Sequence, residues 1–128
     1  MDFPNELKYT KEHEWVKIEG EIAVVGITDY AQHALGDIVF AELPKTGSEV
    51  VESKGAAVVE SVKSVSDVFA PVAGKVIESN EKLTSNPEII NKSPYAEGWM
   101  FKVKMSDKTQ PDRLMSAEEY QKYVAQKK

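Results

Sequence analysis

Lys63 stands in the valine-rich run VVESVKSVSDVFAPVAG (58–74), among side chains of a kind that is ordinarily buried. An amine in such a place has three uses. As a charged interruption it keeps a sticky β segment from pairing with another chain, and for a lysine taken at random this is the commonest explanation. On an exposed, rigid support it offers a nitrogen that another enzyme can acylate, which removes the charge. In a dry pocket that depresses its pKa it forms Schiff bases. The flanks, Ala57 to Val62 and Val65 to Ala70, both read as strand, so a fold-back near residues 62–64 puts Lys63 at a hairpin tip. A tip is wet, which disfavours the Schiff base. The stretch also lacks the Asn-Gly or Asp-Gly that marks the commonest two-residue hairpin turn, so its local turn chemistry supports the fold-back poorly.

The remaining reactive side chains are sparse. His13 and His33 lie twenty positions apart in no ligand spacing, and the chain has no cysteine. Zinc, thiolate metal sites, disulfides and a thiol nucleophile are thereby disfavoured or excluded. KEHEWV (11–16) sets carboxylates Glu12 and Glu14 on either side of His13. Read alone, it is a solvated β edge with Trp15 as core anchor and a structural His13. Asp67 reads as a turn cap, Glu60 as a solvated strand residue and Gly74 as a turn residue.

The elements that must position these groups are short strands: WVKIEGEIAVVGI (15–27), DIVFAEL (37–43), GAAVVESV (55–62), SDVFAPV (66–72), GKVIE (74–78) and WMFKVKM (99–105). Turn residues separate them, at Glu19-Gly20, Leu43-Pro44, Pro71 to Gly74, Ser79-Asn80 and Ser93-Pro94. Such spacing predicts a small sandwich or barrel. GEIAVVG (20–26) weakly repeats GKVIESN (74–80), as two glycine-opened strands of related halves would. Helix is local. TDYAQHAL (28–35) has a cap in Thr28 or Asp29 and a stop at Gly36, and NPEIINK (86–92) sets Asn86 as cap before Pro87. SAEEYQKYVAQKK (116–128) pairs Ser116 with Glu119 as a capping box, stripes Tyr120, Tyr123 and Val124, and ends in lysines that suit the helix dipole.

At 128 residues with 41% hydrophobic content, one domain spanning 1–128 is expected, with a β core over roughly 15–105 and a C-terminal helix over roughly 116–126. A formal charge of −5 without clustered Lys or Arg argues against nucleic acid or membrane surface as partners. No apolar run approaches the ~20 residues of a bilayer span, and the acidic start MDFPNELKYT reads as neither signal nor transit peptide. The expectation is a bacterial cytoplasmic protein, monomeric.

Together, LKYTKEHEWV (7–16), VGITDYAQHALGDIVFAELP (25–44), VVESVKSVSDVFAPVAGKVIESN (58–80), NPEIINKSPYAEGWMFKVK (86–104) and AEEYQKYV (117–124) closely resemble the H-protein family of the glycine cleavage system. The resemblance implies a mostly β fold, a lipoyl/biotinyl-type barrel-sandwich hybrid of two pseudo-symmetric sheets with short flanking helices and a C-terminal helix. It implies lipoate joined to Lys63, with Glu60 and Gly74 recognised by the lipoylating enzyme, a lipoyl or octanoyl transferase or a lipoate ligase. It implies a carrier, not an enzyme, passing an aminomethyl group from glycine decarboxylase (P protein) to aminomethyltransferase (T protein), with reoxidation by dihydrolipoyl dehydrogenase (L protein). The arm is expected to dock in a cleft involving Glu14 and Asp67, with Glu12 and His13 beside them. Glu12 stands where some members have a serine, so a third carboxylate replaces a hydroxyl there. Two other carriers are weighed against this one. A lipoate-relay H-like protein would supply lipoyl groups to 2-oxoacid dehydrogenases, and a biotin carboxyl carrier usually brackets its lysine with methionines, where Val62 and Ser64 stand here.

Overall fold

Alternation along the strands decides which side chains meet, and the pairing follows it. The structure, a computed structural model, describes residues 1–126. In chain order these form β1 (Lys8–Tyr9), β2 (Glu14–Glu19), β3 (Ile22–Ile27), α1 (Asp29–Leu35), β4 (Ile38–Glu42), β5 (Glu49–Val50), β6 (Gly55–Ser61) and β7 (Val65–Phe69). Then come β8 (Gly74–Ser79), the one-turn helices α2 (Lys82–Ser85) and α3 (Ile89–Lys92), β9 (Phe101–Met105), a 3-10 turn (Gln110–Arg113) and α4 (Ala117–Gln126). All strand pairs are antiparallel, in a six-stranded sheet ordered β1-β2-β3-β9-β8-β5 and a three-stranded sheet ordered β4-β6-β7.

The two sheets bury one core between them, with Val16, Val25, Val76 and Val103 from the larger and Ala41, Val59 and Val68 from the smaller. Each fully buried valine contributes roughly 1.5–3 kcal/mol. The opposite face of the larger sheet is also covered. Val24, Trp15 and Tyr9 pack there against Ala117, Tyr120 and Val124 of α4, with the Tyr9 and Tyr120 rings stacked at 4.7 Å. The continuous run AVV (23–25) thus reflects a strand buried on both faces.

The weak repeat has a structural counterpart: β3 and β8 flank β9 on either side, and Ala23 and Val76 both lie opposite Val103. The sheets themselves are unequal, six strands against three. Thr28 caps α1, its hydroxyl accepting the Ala31 N–H at 3.1 Å, and Gly36 ends it with φ 84°. The capping box of α4 forms in both directions, Ser116 N–H to Glu119 at 2.8 Å and Glu119 N–H to Ser116 at 3.2 Å. The terminal lysines expected to meet its dipole lie outside the described residues. One expected cap fails. Asn86 is the C-cap of α2, and α3 has Glu88 at its N-cap with no side-chain cap bond, because a first single turn has already used the chain before Pro87. The two-residue strands β1 and β5 escape sequence reading because two residues show no period.

Candidate functional site

The β6–β7 hairpin closes without a left-handed residue; among the described residues, the non-glycine residues with positive φ are His13 and Ser53. What closes it is Ser61, buried at 8% exposure. Its hydroxyl accepts the N–H of Lys63 at 3.3 Å and of Ser64 at 3.1 Å, while the Ser61 N–H donates to the Ser64 carbonyl at 2.8 Å. A serine side chain that bonds backbone two and three residues on replaces the missing turn dipeptide. Val62 donates its N–H to the Asp37 carbonyl at 3.1 Å, tying the tip to the loop between α1 and β4. Lys63 is exposed at this tip and, among the described residues, enters no ion pair. Val62 and Val65 beside it are 71% and 65% exposed, and on β4 Val39 and Phe40 are exposed too, with Glu60 between Phe40 and Val65 in register.

From the tip, Val65, Asp67 and Phe69 of β7 alternate onto one face, so the strand leads from Lys63 past Asp67 to Phe69. Phe69 lines an open cleft of about 370 Å³, together with Glu12, Glu14, Thr10, Glu52 and Arg113 among others. Glu14 is 2% exposed and fully bonded: Thr10 Oγ1 donates to its Oε1 at 2.6 Å and the Phe69 N–H to its Oε2 at 3.1 Å. Burial raises its pKa to about 7, against the lowering effect of these two bonds, and the nearby Glu12 charge adds to the rise. Arg113 and Glu52 pair across the exposed side of the same cleft.

The expected site residues are thus partly brought together. Glu14 and Glu12 share the cleft, whereas Asp67 lies exposed along the strand leading to it. His13 packs in an aromatic cluster, its Nδ1 2.8 Å from Tyr120 Oη and its ring 4.6 Å from Tyr30. Its φ of 73° lets the chain turn between Thr10 and Glu14. Glu60 is half-buried on β6, paired with Phe40 on one side and Val65 on the other. Gly74 opens β8 where a Cβ would stand 2.1 Å from the Lys104 carbonyl oxygen, so the close approach of β9 requires glycine there. Sequence reading missed Thr10 and Ser61. The signal for both was a hydroxyl residue just ahead of a turn.

Comparison with known proteins shows the family to which the chain belongs. The family described as Glycine cleavage H-protein matches residues 7–127. The glycine cleavage system H protein of Halothermothrix orenii is 56% identical over 124 residues, covering 97% of each chain. That of Staphylococcus saprophyticus is 55% identical over 126 residues, covering 98% of this chain and all of its own. The crystal structure of a glycine cleavage system H protein from Mycobacterium marinum superposes with TM-score 0.85 at 35% identity, over 97% of this chain and 98% of that one. This chain, with an exposed lysine on a serine-held hairpin and a carboxylate-lined cleft at the end of the following strand, therefore belongs to the glycine cleavage H-protein family.

Proposed function

We propose that this chain is a single-domain, non-catalytic carrier of the glycine cleavage system, with lipoate joined through an amide to Lys63 Nζ. The observation that carries the reading is Lys63 itself: exposed, outside any ion pair among the described residues, and projected from a tip whose backbone Ser61 holds. When bound, the lipoyl group supplies a disulfide that takes up an aminomethyl unit. The protein supplies presentation and shelter. Glu12 lines the cleft, and Glu14, raised by burial to a pKa of about 7, adds negative charge there when it ionises; a cationic amine needs such charge if it is to leave water without a large desolvation cost. Asp67 lies on the strand between tip and cleft, and His13 fixes the turn that presents Glu14. Glu60 on β6 and Gly74 at the start of β8 serve as marks for the lipoyl or octanoyl transferase or lipoate ligase.

In this reading the carrier visits glycine decarboxylase, aminomethyltransferase and dihydrolipoyl dehydrogenase in turn, as a monomer. Its bacterial relatives support a bacterial cytoplasm as the setting. Among the described residues no helix is long and apolar enough to cross a membrane. Intact and peptide mass of the protein from a lipoate-replete host, beside Lys63→Arg, tests the reading. A lipoyl increment on the Lys63 peptide, absent in the variant, is the expected result. An unmodified Lys63 in a host with active lipoylation returns the lysine to a charged interruption of the β segment.

A further inference from the structure

The segment NPEIINKSPYAEGW (86–99) contributes aromatic packing, in which Trp15 Nε1–H donates to the Pro94 carbonyl at 2.9 Å and the Tyr95 ring lies 6.1 Å from Trp15. Asn91, on α3, has a different set of partners. Its Nδ2 donates to the Gly36 carbonyl and to Gln32 Oε1, both at 2.9 Å, and its Oδ1 accepts the Ile38 N–H at 2.8 Å. One side chain thereby clamps the end of α1 to the start of β4. Between the clamped residues stands Asp37, whose carbonyl accepts the Val62 N–H at 3.1 Å. Val62 lies just past the end of β6 and immediately before Lys63. The lysine stem lies over the same loop, since a Cβ on Gly36 would stand 3.6 Å from Lys63 Cε.

We propose that Asn91 is a positioning residue for Lys63: by fixing Gly36 and Ile38 it fixes the Asp37 carbonyl, and through Val62 the direction in which the tip presents its amine to the acylating enzyme. The assignment rests on Lys63 being the lipoylated residue. An Asn amide offers two donors and an acceptor at defined angles, and all are used here. Side-chain hydrogen bonds to backbone at the ends of a helix and a strand are a means by which a fold aims the loop between them.

The test uses the unmodified full chain with lipoate, ATP and a lipoate ligase, where the amide forms at Lys63 Nζ as AMP and pyrophosphate leave. Asn91→Ala is expected to lower kcat/KM for lipoyl transfer by about tenfold, and to speed hydrogen exchange at the Val62 amide by about tenfold, with β9 amides unchanged. Asn86→Ala, in the same segment but outside this clamp, is expected to leave both at wild-type values. Wild-type transfer and wild-type Val62 exchange in Asn91→Ala overturn the assignment. So does acceleration of the β9 amides by the same factor, which would make Asn91 a residue of general stability. No lipoate on wild-type Lys63 overturns the carrier reading and this assignment with it, whereas a normal wild type with an unaffected variant overturns this assignment alone.

Discussion

Glu14 shows what burial does to one carboxyl group. Its folded pKa, raised by burial from 4.5 to about 7, means that the native state holds a proton which the unfolded chain gives up. Below pH 4.5 both states are protonated and Glu14 imposes no penalty; as pH rises from 4.5 to about 7 the penalty grows, then stays constant. Glu14→Gln should therefore remove a stability loss of about 3 kcal/mol across that window, read as the difference between the two proteins' urea midpoints from pH 4 to pH 8. Equal pH profiles for both would show that Glu14 is ionised at its ordinary pKa. Gly74 is a second residue-scale case. A methyl group there meets a backbone oxygen at 2.1 Å, and backbone cannot step aside as a flexible side chain can. Gly74→Ala should destabilise by about 3 kcal/mol in thermal melts, so its lipoylation is to be compared only where the variant is folded. Thr10 supplies the hydroxyl that bonds Glu14.

At the scale of elements, the hairpin that carries Lys63 depends on a side chain more than on a turn dipeptide. Ser61→Ala removes the acceptor for two N–H groups and should cost about 1–2 kcal/mol, with faster exchange of the Lys63 and Ser64 amides. Ser61→Thr keeps the hydroxyl and should restore slow exchange. At the other end of the chain, Ser116→Ala breaks the capping box of α4 and should cost about 1 kcal/mol, measured by chemical denaturation. The capping box was legible because its partners lie three residues apart. The order of α2 and α3 was not, since Asn86 and Pro87 carry the same signals whether they end one single turn or begin the next.

At the scale of the molecule, two layers of strand and one docked helix make an acidic member of the H-protein family with an exposed lysine at one hairpin. The formal charge of −5 predicts partners with complementary positive surface, because long-range attraction speeds encounter. Raising ionic strength from low to physiological should slow transfer between carrier and partner enzymes several-fold, in stopped-flow measurements on the lipoylated protein. Rates independent of salt would mean that contact at the tip, through Val62, Val65 and Phe40, dominates docking.

The sequence by itself determined the longer strand segments, the capping box at Ser116, a cap for α1 at Thr28 or Asp29, and strand patterns on both flanks of Lys63, because period-2 alternation and capping are local properties of neighbouring residues. Only the tertiary structure decided that Glu14 is buried and shares a cleft with Glu12 and Arg113, that Asp67 and His13 stand apart from it, and that Asn91 reaches the Lys63 tip through Asp37. Those relations join residues tens of positions apart, and burial, pKa and hydrogen-bond partnership depend on which distant strand or loop arrives, which no local spacing encodes.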